Sequence, residues 1–490
     1  PSLLGFLQTC SIQVNLMLRI LNVTSEVVPF SKTGGLADVS RSLPDALASS
    51  GHHVCTVTPL YRCVDRRDLS FTGKILDVML GGRIIQFGVH TTVTPAGVTI
   101  YFLDNDDLFG RDEIYGTRDG AYPDNHLRFA FFGAAVFDLI AAFDLDIDII
   151  HCQDWQAGLV PLFNRIRYGN RYRTVMTVHN MGYQGVFPGY VTPELGIPWE
   201  VYTTEGVEFW GQVSFLKAGL FFSDRATTVS PTYAREVLTP ETGYGMDGIL
   251  RLIGGRFSGI LNGVDYSQWS PENDPMIPAR FSVDDMTGKE ENRSALLQEF
   301  GLRDSGGPLF GVIGRLAHQK GYDLLAGVMP AIVRAAGMIV VLGTGERDVE
   351  NMIASSAAGF PEHVAVRFIY NERLAHLIEA GADFFLMPSR YEPCGLNQMY
   401  SLRYGTIPIV HAVGGLQDTV IDVDDDPERG TGLKFSPFEN QAFLDAVWRA
   451  CQLFVDVDRM HEVRARGMKQ DFSWSRSAGA YASLFKSLVQ

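Results

Sequence analysis

The loop 388–396 reads P-S-R-Y-E-P-C-G-L and holds one carboxylate, Glu392, ahead of Cys394, Gly395 and Leu396. The apolar run 382–387 before it has the character of a buried strand, and Gly395 opens a helical stretch, 396–404. A second apolar run, 407–411, ends at the pair Gly414-Gly415. A carboxylate beside glycine amides at helix starts suits a ligand that joins a sugar to phosphates. The carboxylate faces the sugar, and the amides and helix dipoles favour the anion. Earlier in the chain, the strand 309–313 leads into G-R-L-A-H-Q-K-G, which supplies Arg315 and Lys320. Arginine offers phosphate oxygens a planar fork and lysine a compact charge. The strand 18–24 is followed by a loop ending K-T-G-G, which contains Lys32, Gly34 and Gly35. Adjacent glycines allow close backbone approach to a phosphate, although the Walker spacing is absent. Asp154, His179 and Asn262 each follow an apolar run, and Tyr370 follows another and offers a ring face to a base.

Such residues need strands that end side by side. Strand-like runs at 18–24, 53–58, 84–90, 98–103, 148–153, 173–178, 226–230 and 259–261 alternate with helical stretches such as 36–50 and 125–143. A second series follows at 309–313, 338–342, 364–369, 382–387 and 407–411. This alternation predicts α/β architecture, with two Rossmann-like, doubly wound parallel sheets facing across a cleft. Ligands of such sheets collect beyond the carboxyl ends of the strands, where the polar residues above fall. The expected division is an extension over 1–16, a first domain over 17–264, a Pro- and Asp-rich linker over 265–278, a second domain over 279–470, and a C-terminal helix, 471–490, that returns to the first.

At 490 residues, with 46% hydrophobic and 20% charged residues, the chain has the balance of a globular protein too long for one core. A formal net charge of −15 argues against nucleic acid or an anionic membrane as partner. The six cysteines show no metal-ligating spacing and fit a reducing compartment. No apolar run is long enough to span a bilayer, and residues 1–18 lack the basic start and cleavage site of a signal peptide. A cytoplasmic location is expected, with the plastid stroma as the alternative. No metal and no bound cofactor are expected.

The motifs K-T-G-G-L-A-D at 32–38, D-W-Q-A-G-L at 154–159, T-V-H-N at 177–180, L-N-G-V-D at 261–265, G-R-L-A-H-Q-K-G at 314–321, P-S-R-Y-E-P-C-G-L at 388–396 and G-G-L-Q-D-T-V at 414–420 occur together and in order. With them the chain resembles the bacterial glycogen synthase and plant starch synthase family, from about residue 17 to the end. These are retaining glycosyltransferases of the GT-B fold. The resemblance implies transfer of glucose from ADP-glucose to the non-reducing end of an α-1,4-glucan, with release of ADP. It implies that Glu392, His179, Asp154, Lys320 and Arg315 serve catalysis. It places Lys32, Gly34, Gly35, Asn262, Tyr370, Cys394, Gly395, Leu396, Gly414 and Gly415 at the donor, and Asp38 and Tyr115 at the acceptor or sugar, with Asp38 equally able to cap its helix.

Two roles are open to Glu392. It could act as a nucleophile, which needs a second carboxylate nearby. It could instead hold sugar hydroxyls and developing positive charge while the acceptor attacks on the face the leaving group departs from. The second fits better, because no second carboxylate partners Glu392 in sequence; Asp154 is the rival. Three positions depart from the family pattern: Gln156 where histidine is usual, Tyr391 for phenylalanine, and Val413 for the threonine common in bacterial relatives. Relatives with broader donor choice carry a second glutamate where this chain has Tyr400. The alternatives are a catalytically silent glucan-binding protein and a synthase that prefers UDP-glucose.

Overall fold

The computed structural model describes residues 16–117 and 120–490, so nearly all of the expected extension, 1–16, lies outside the described residues. Nine strands form the first sheet: β1 (Arg19–Val23), β2 (His53–Pro59), β3 (Ser70–Leu80), β4 (Arg83–Val93), β5 (Thr99–Asp104), β6 (Ile149–Gln153), β7 (Arg173–Val178), β8 (Arg225–Thr228) and β9 (Phe257–Gly259). Their order is β9-β8-β7-β6-β1-β2-β5-β4-β3. From β9 to β5 every pairing is parallel. The central strands β1, β2, β5, β6 and β7 are short and largely buried, as parallel strands covered on both faces require.

The edge departs from the expected parallel sheet. β3 and β4 pair antiparallel with each other, and β4 pairs antiparallel with β5. Gly81 and Gly82 have φ of +54° and +78°, the left-handed pair that a two-residue hairpin turn needs. So short a link cannot carry the chain back for a parallel crossover.

The second sheet holds β10 (Leu309–Ile313), β11 (Met338–Leu342), β12 (Val364–Arg367), β13 (Phe384–Met387), β14 (Ile407–His411) and β15 (Leu433–Phe435) in the order β12-β11-β10-β13-β14-β15, parallel throughout. In both sheets the order reverses beside the first strand, between β1 and β6 and between β10 and β13. Such switch points open a crevice for ligand. The candidate residues Lys32, Asp154, Arg315, Lys320 and Glu392 lie on the loops that follow these four strands.

The two halves join by a double crossing. Val264 donates its amide to the Phe472 carbonyl at 2.7 Å. Beyond it, the helix Trp474–Val489 sets Trp474, Ala478, Tyr481 and Phe485 into a core with Leu18, Ile20, Val39 and Leu43 of the first unit. The return of the C-terminal helix is therefore as expected. The stretch 265–278 is not loose. Asp274 is wholly buried and meets His376 Nδ1 at 2.7 Å and the Tyr404 hydroxyl at 2.5 Å. Trp269 stacks between His376 and Tyr400, with ring centroids 3.7 and 4.0 Å away.

Candidate active site

Strands β1, β6 and β7 are neighbours, so the loops that follow them form one wall. Asp154 leaves β6 with φ 55° and ψ −177°. A non-glycine residue adopts that region at a cost of about 1–3 kcal/mol, as residues at functional sites often do. Its carboxylate accepts the His179 amide at 2.7 Å. Burial, aided by the charge of Glu26, lifts this carboxyl to about 7 against the pull of the His179 and Asn180 amides. Burial acts oppositely on His179 and pushes its imidazole down to about 4. Its Nε2 lies 2.9 Å from Gln153 Oε1.

The K-T-G-G loop is shaped by Glu26, which the sequence reading passed over. This buried carboxylate accepts the Thr33 amide at 2.5 Å, the Thr33 hydroxyl at 2.6 Å, the Gly34 amide at 3.3 Å and the Tyr115 hydroxyl at 2.6 Å. Tyr115 thus sends its hydroxyl into the wall beneath the loop, where Ser25 also meets it at 2.7 Å. Gly34 and Gly35 are exposed. Lys32 pairs with Asp38 at 2.8 Å. Burial works against the Lys32 charge, but Asp38, with Tyr370 and Glu372 across the cleft, holds its pKa above the ordinary value.

The facing wall is ionic. Glu392, on the loop after β13, accepts the Lys320 ammonium at 2.5 Å and the Ser389 hydroxyl at 3.0 Å through the same oxygen. Glu392 is 6% exposed. Neighbouring strands bring these residues together: Lys320 follows β10 and Glu392 follows β13. Arg315 is exposed and engages no hydrogen bond or ion pair among the described residues. Tyr370 is 76% exposed, its ring free to stack. Cys394 is buried and its thiol is pushed up to about 12 by that burial, which leaves it protonated and a poor nucleophile.

Glycine permits the close packing of these loops. A Cβ on Gly414 would lie 1.9 Å from the Glu392 carbonyl oxygen, and one on Gly415 2.0 Å from that of Cys394. Their amides are engaged. Gly415 donates to the Glu392 carbonyl at 3.1 Å, and Gly414 donates to the Glu236 carboxylate of the first unit at 2.9 Å. A phosphate at Gly414 would have Glu236 to displace. The helix Pro231–Glu236 also clamps Asp418, through the Thr232 amide at 2.9 Å and hydroxyl at 2.6 Å. Gly35 and Leu396 approach across the same cleft, 3.9 Å from an added Cβ to the leucine side chain. Gly395 turns with φ 71°. Asn262 is buried beside Cys394, and its Oδ1 lacks a partner among the described residues. An unpaired buried acceptor costs about 1–3 kcal/mol, which a donating ligand would recover.

Glu26, Gln153, Ser389 and Glu236 were missed. Gln153 ends a strand on the ligand edge, a signal the sequence carried; Glu26 lies in the loop after β1 and Glu236 on a helix, and neither carried one. His318, Glu346 and Asp348 come within 4.8 Å of one another on the exposed surface. Their sequence spacing does not reveal the trio, and its exposure distinguishes it little from ordinary surface acids. None of the described helices is long and apolar enough to cross a membrane.

The starch synthase catalytic domain family matches residues 19–252, and the family of group 1 glycosyl transferases matches residues 296–453. A glycogen synthase of Myxococcus xanthus is 47% identical over 479 residues, covering 96% of this chain and 100% of that protein. One from Koribacter versatilis is 44% identical over 96% of this chain and 99% of its own length. The catalytic domain of starch synthase IV from Arabidopsis thaliana, solved bound to ADP and acarbose, superposes with a TM-score of 0.90 at 33% identity, over 97% of this chain and 100% of that one.

Proposed function

The chain belongs to the glycogen and starch synthase family of GT-B glucosyltransferases, and on that premise we propose that ADP-glucose binds between the two walls and gives its glucose to an α-1,4-glucan. The observation that carries the reading is the buried Glu392 paired with the half-buried Lys320, with Arg315 unpaired and Lys32 opposite. A departing ADP gathers negative charge, and fixed cations act most strongly where charge develops. Lys320, Arg315 and Lys32 meet that diphosphate. Glu392 then turns to the glucose, holding its hydroxyls and the positive charge at the anomeric carbon.

Asp154 is poorly suited to act as a permanent nucleophile. Its carboxyl titrates near 7 and its Oδ1 is committed to the His179 amide. It suits a sugar hydroxyl instead. With Asp154 committed to the His179 amide, attack on the face of the departing phosphate accounts for retention without a covalent intermediate. Tyr370 stacks on adenine, Asn262 Oδ1 accepts from the donor, and the exposed rings of Trp210 and Tyr244, beside Tyr391, offer platforms for the glucan. A cytoplasmic site of action fits this donor and acceptor.

The test is release of nucleoside diphosphate from ADP-glucose or UDP-glucose with glycogen present. Turnover with ADP-glucose is expected to exceed that with UDP-glucose, and the reverse would overturn the donor assignment. Glu392→Gln should lower kcat far more than donor affinity; equal losses would contradict a transition-state role.

A further inference from the structure

Under the first wall lies a polar cluster that the reaction above does not use. Asn22, His151, Gln153, Thr177 and Thr227 are each no more than 1% exposed. Gln153 Nε2 donates to Asn22 Oδ1 at 2.9 Å and lies 3.2 Å from His151 Nδ1. His151 Nε2 meets the Thr177 hydroxyl at 2.7 Å, and that hydroxyl meets Thr227 at 2.7 Å. Tyr481 and Phe485 of the returning C-terminal helix pack on the His151 ring, with centroids 5.2 and 5.3 Å away. The amide of Gln153 is thus held from behind with its nitrogen turned to Asn22, so its carbonyl oxygen is the end that faces His179. An amide oxygen only accepts hydrogen bonds.

We propose that Gln153 is a positioning residue that fixes His179 as the neutral tautomer protonated at Nε2, leaving Nδ1 as an acceptor for a hydroxyl of the bound sugar. Nδ1 makes no hydrogen bond among the described residues. A histidine set in this way accepts a hydrogen bond from a hydroxyl at Nδ1. It does not supply a positive charge, so the cations of the reaction are Lys320, Arg315 and Lys32. A ring nitrogen's role is set by what the other nitrogen meets, and here that partner is the side chain immediately before Asp154. The sugar as the group at Nδ1 rests on the function proposed above; the tautomer does not.

The experiment is nitrogen NMR on ligand-free protein labelled at histidine, with His179 assigned from the spectrum of His179→Ala. Wild type should show a pyrrole-like Nε2 and a pyridine-like Nδ1 for His179. Gln153→Glu, whose carboxylate also only accepts, should keep that signature. Gln153→Leu should lose it for an averaged pair of tautomers. Its kcat should fall about tenfold, the effect of one net hydrogen bond, with little change in KM for ADP-glucose, and Gln153→Glu should recover most of it. A pyrrole-like Nδ1 in wild type would overturn the proposal even with the enzyme fully active. So would an unchanged His179 signature in folded Gln153→Leu. Absence of turnover with either sugar nucleotide, with the expected signature present, would instead remove the sugar as partner and leave the tautomer standing.

Discussion

Glu392 and Asp154 are both buried carboxylates on loops that follow parallel strands, yet they hold charge differently. Glu392 meets the ammonium of Lys320 and the hydroxyl of Ser389. Asp154 meets main-chain amides, and its carboxyl rises to about 7. On the second wall Glu392 is paired with its own lysine. On the first wall His179 is uncharged and Asp154 lies near its titration point, alongside the Lys32–Asp38 ion pair. On the function proposed, this contrast lets one cleft meet both a diphosphate and a neutral glucan. Field strength is kept where charge changes, and hydrogen bonding where hydroxyls must be placed.

The strongest test of this contrast is Lys320→Ala. It removes the cation proposed for the leaving group and leaves Glu392 buried without its partner. We predict a fall in kcat of about 10²–10³, the usual effect of removing one group that stabilises developing charge. Lys32→Ala, whose partner Asp38 is far less buried, should lose less; equal losses would mean that the walls share the charge. Both are read by ADP release at saturating glycogen.

Asp154→Asn probes the first wall by stability. The carboxyl titrates near 3.9 in an unfolded chain and near 7 when folded. Between those values the unfolded state binds fewer protons, so wild-type stability falls as pH rises from about 4 to about 7 and is flat in this respect beyond. The asparagine variant lacks that loss. Its melting temperature should match wild type near pH 4 and exceed it at pH 8, by a difference worth on the order of a few kcal/mol. A constant difference across this range would show that Asp154 is not held protonated by burial. Its kcat should fall by a smaller factor than that of Lys320→Ala.

Two smaller effects concern how the walls meet. Asp418→Ala removes the clamp from Thr232 and should raise KM for ADP-glucose about tenfold or less, as expected for loss of a charge-assisted hydrogen bond of about 1.5 kcal/mol. Small-angle scattering should show a more open molecule; an unchanged profile would show that the clamp does not set the opening. Tyr370→Ala should raise KM for ADP-glucose a few-fold and leave kcat nearly unchanged, since stacking on a base is worth on the order of 1 kcal/mol. An unchanged KM would remove Tyr370 from the donor site.

Most strands were legible as short apolar runs, and the loops after them held the polar residues that the two switch points gather. β3 was not. Its exposed Phe71, Ile75 and Met79 alternate around a register shift, which blurs the period. The Gly81-Gly82 turn was visible as a residue pair, but its reversal of strand direction depended on pairing with β4. Glu26 was passed over because a lone glutamate in a loop has no spacing signature; its meaning comes from Tyr115, 89 residues away.

The sequence by itself determined which side chains stand at strand ends and which glycines let loops approach, because strand period and backbone freedom are local. Tertiary structure decided the charge and proton state of those side chains. Lys320 and Glu392 are 72 residues apart, and Glu236 and Gly414 are 178 apart. Ionisation, tautomer and the engagement of an amide depend on burial and on partners brought from such distances, and no local pattern encodes either.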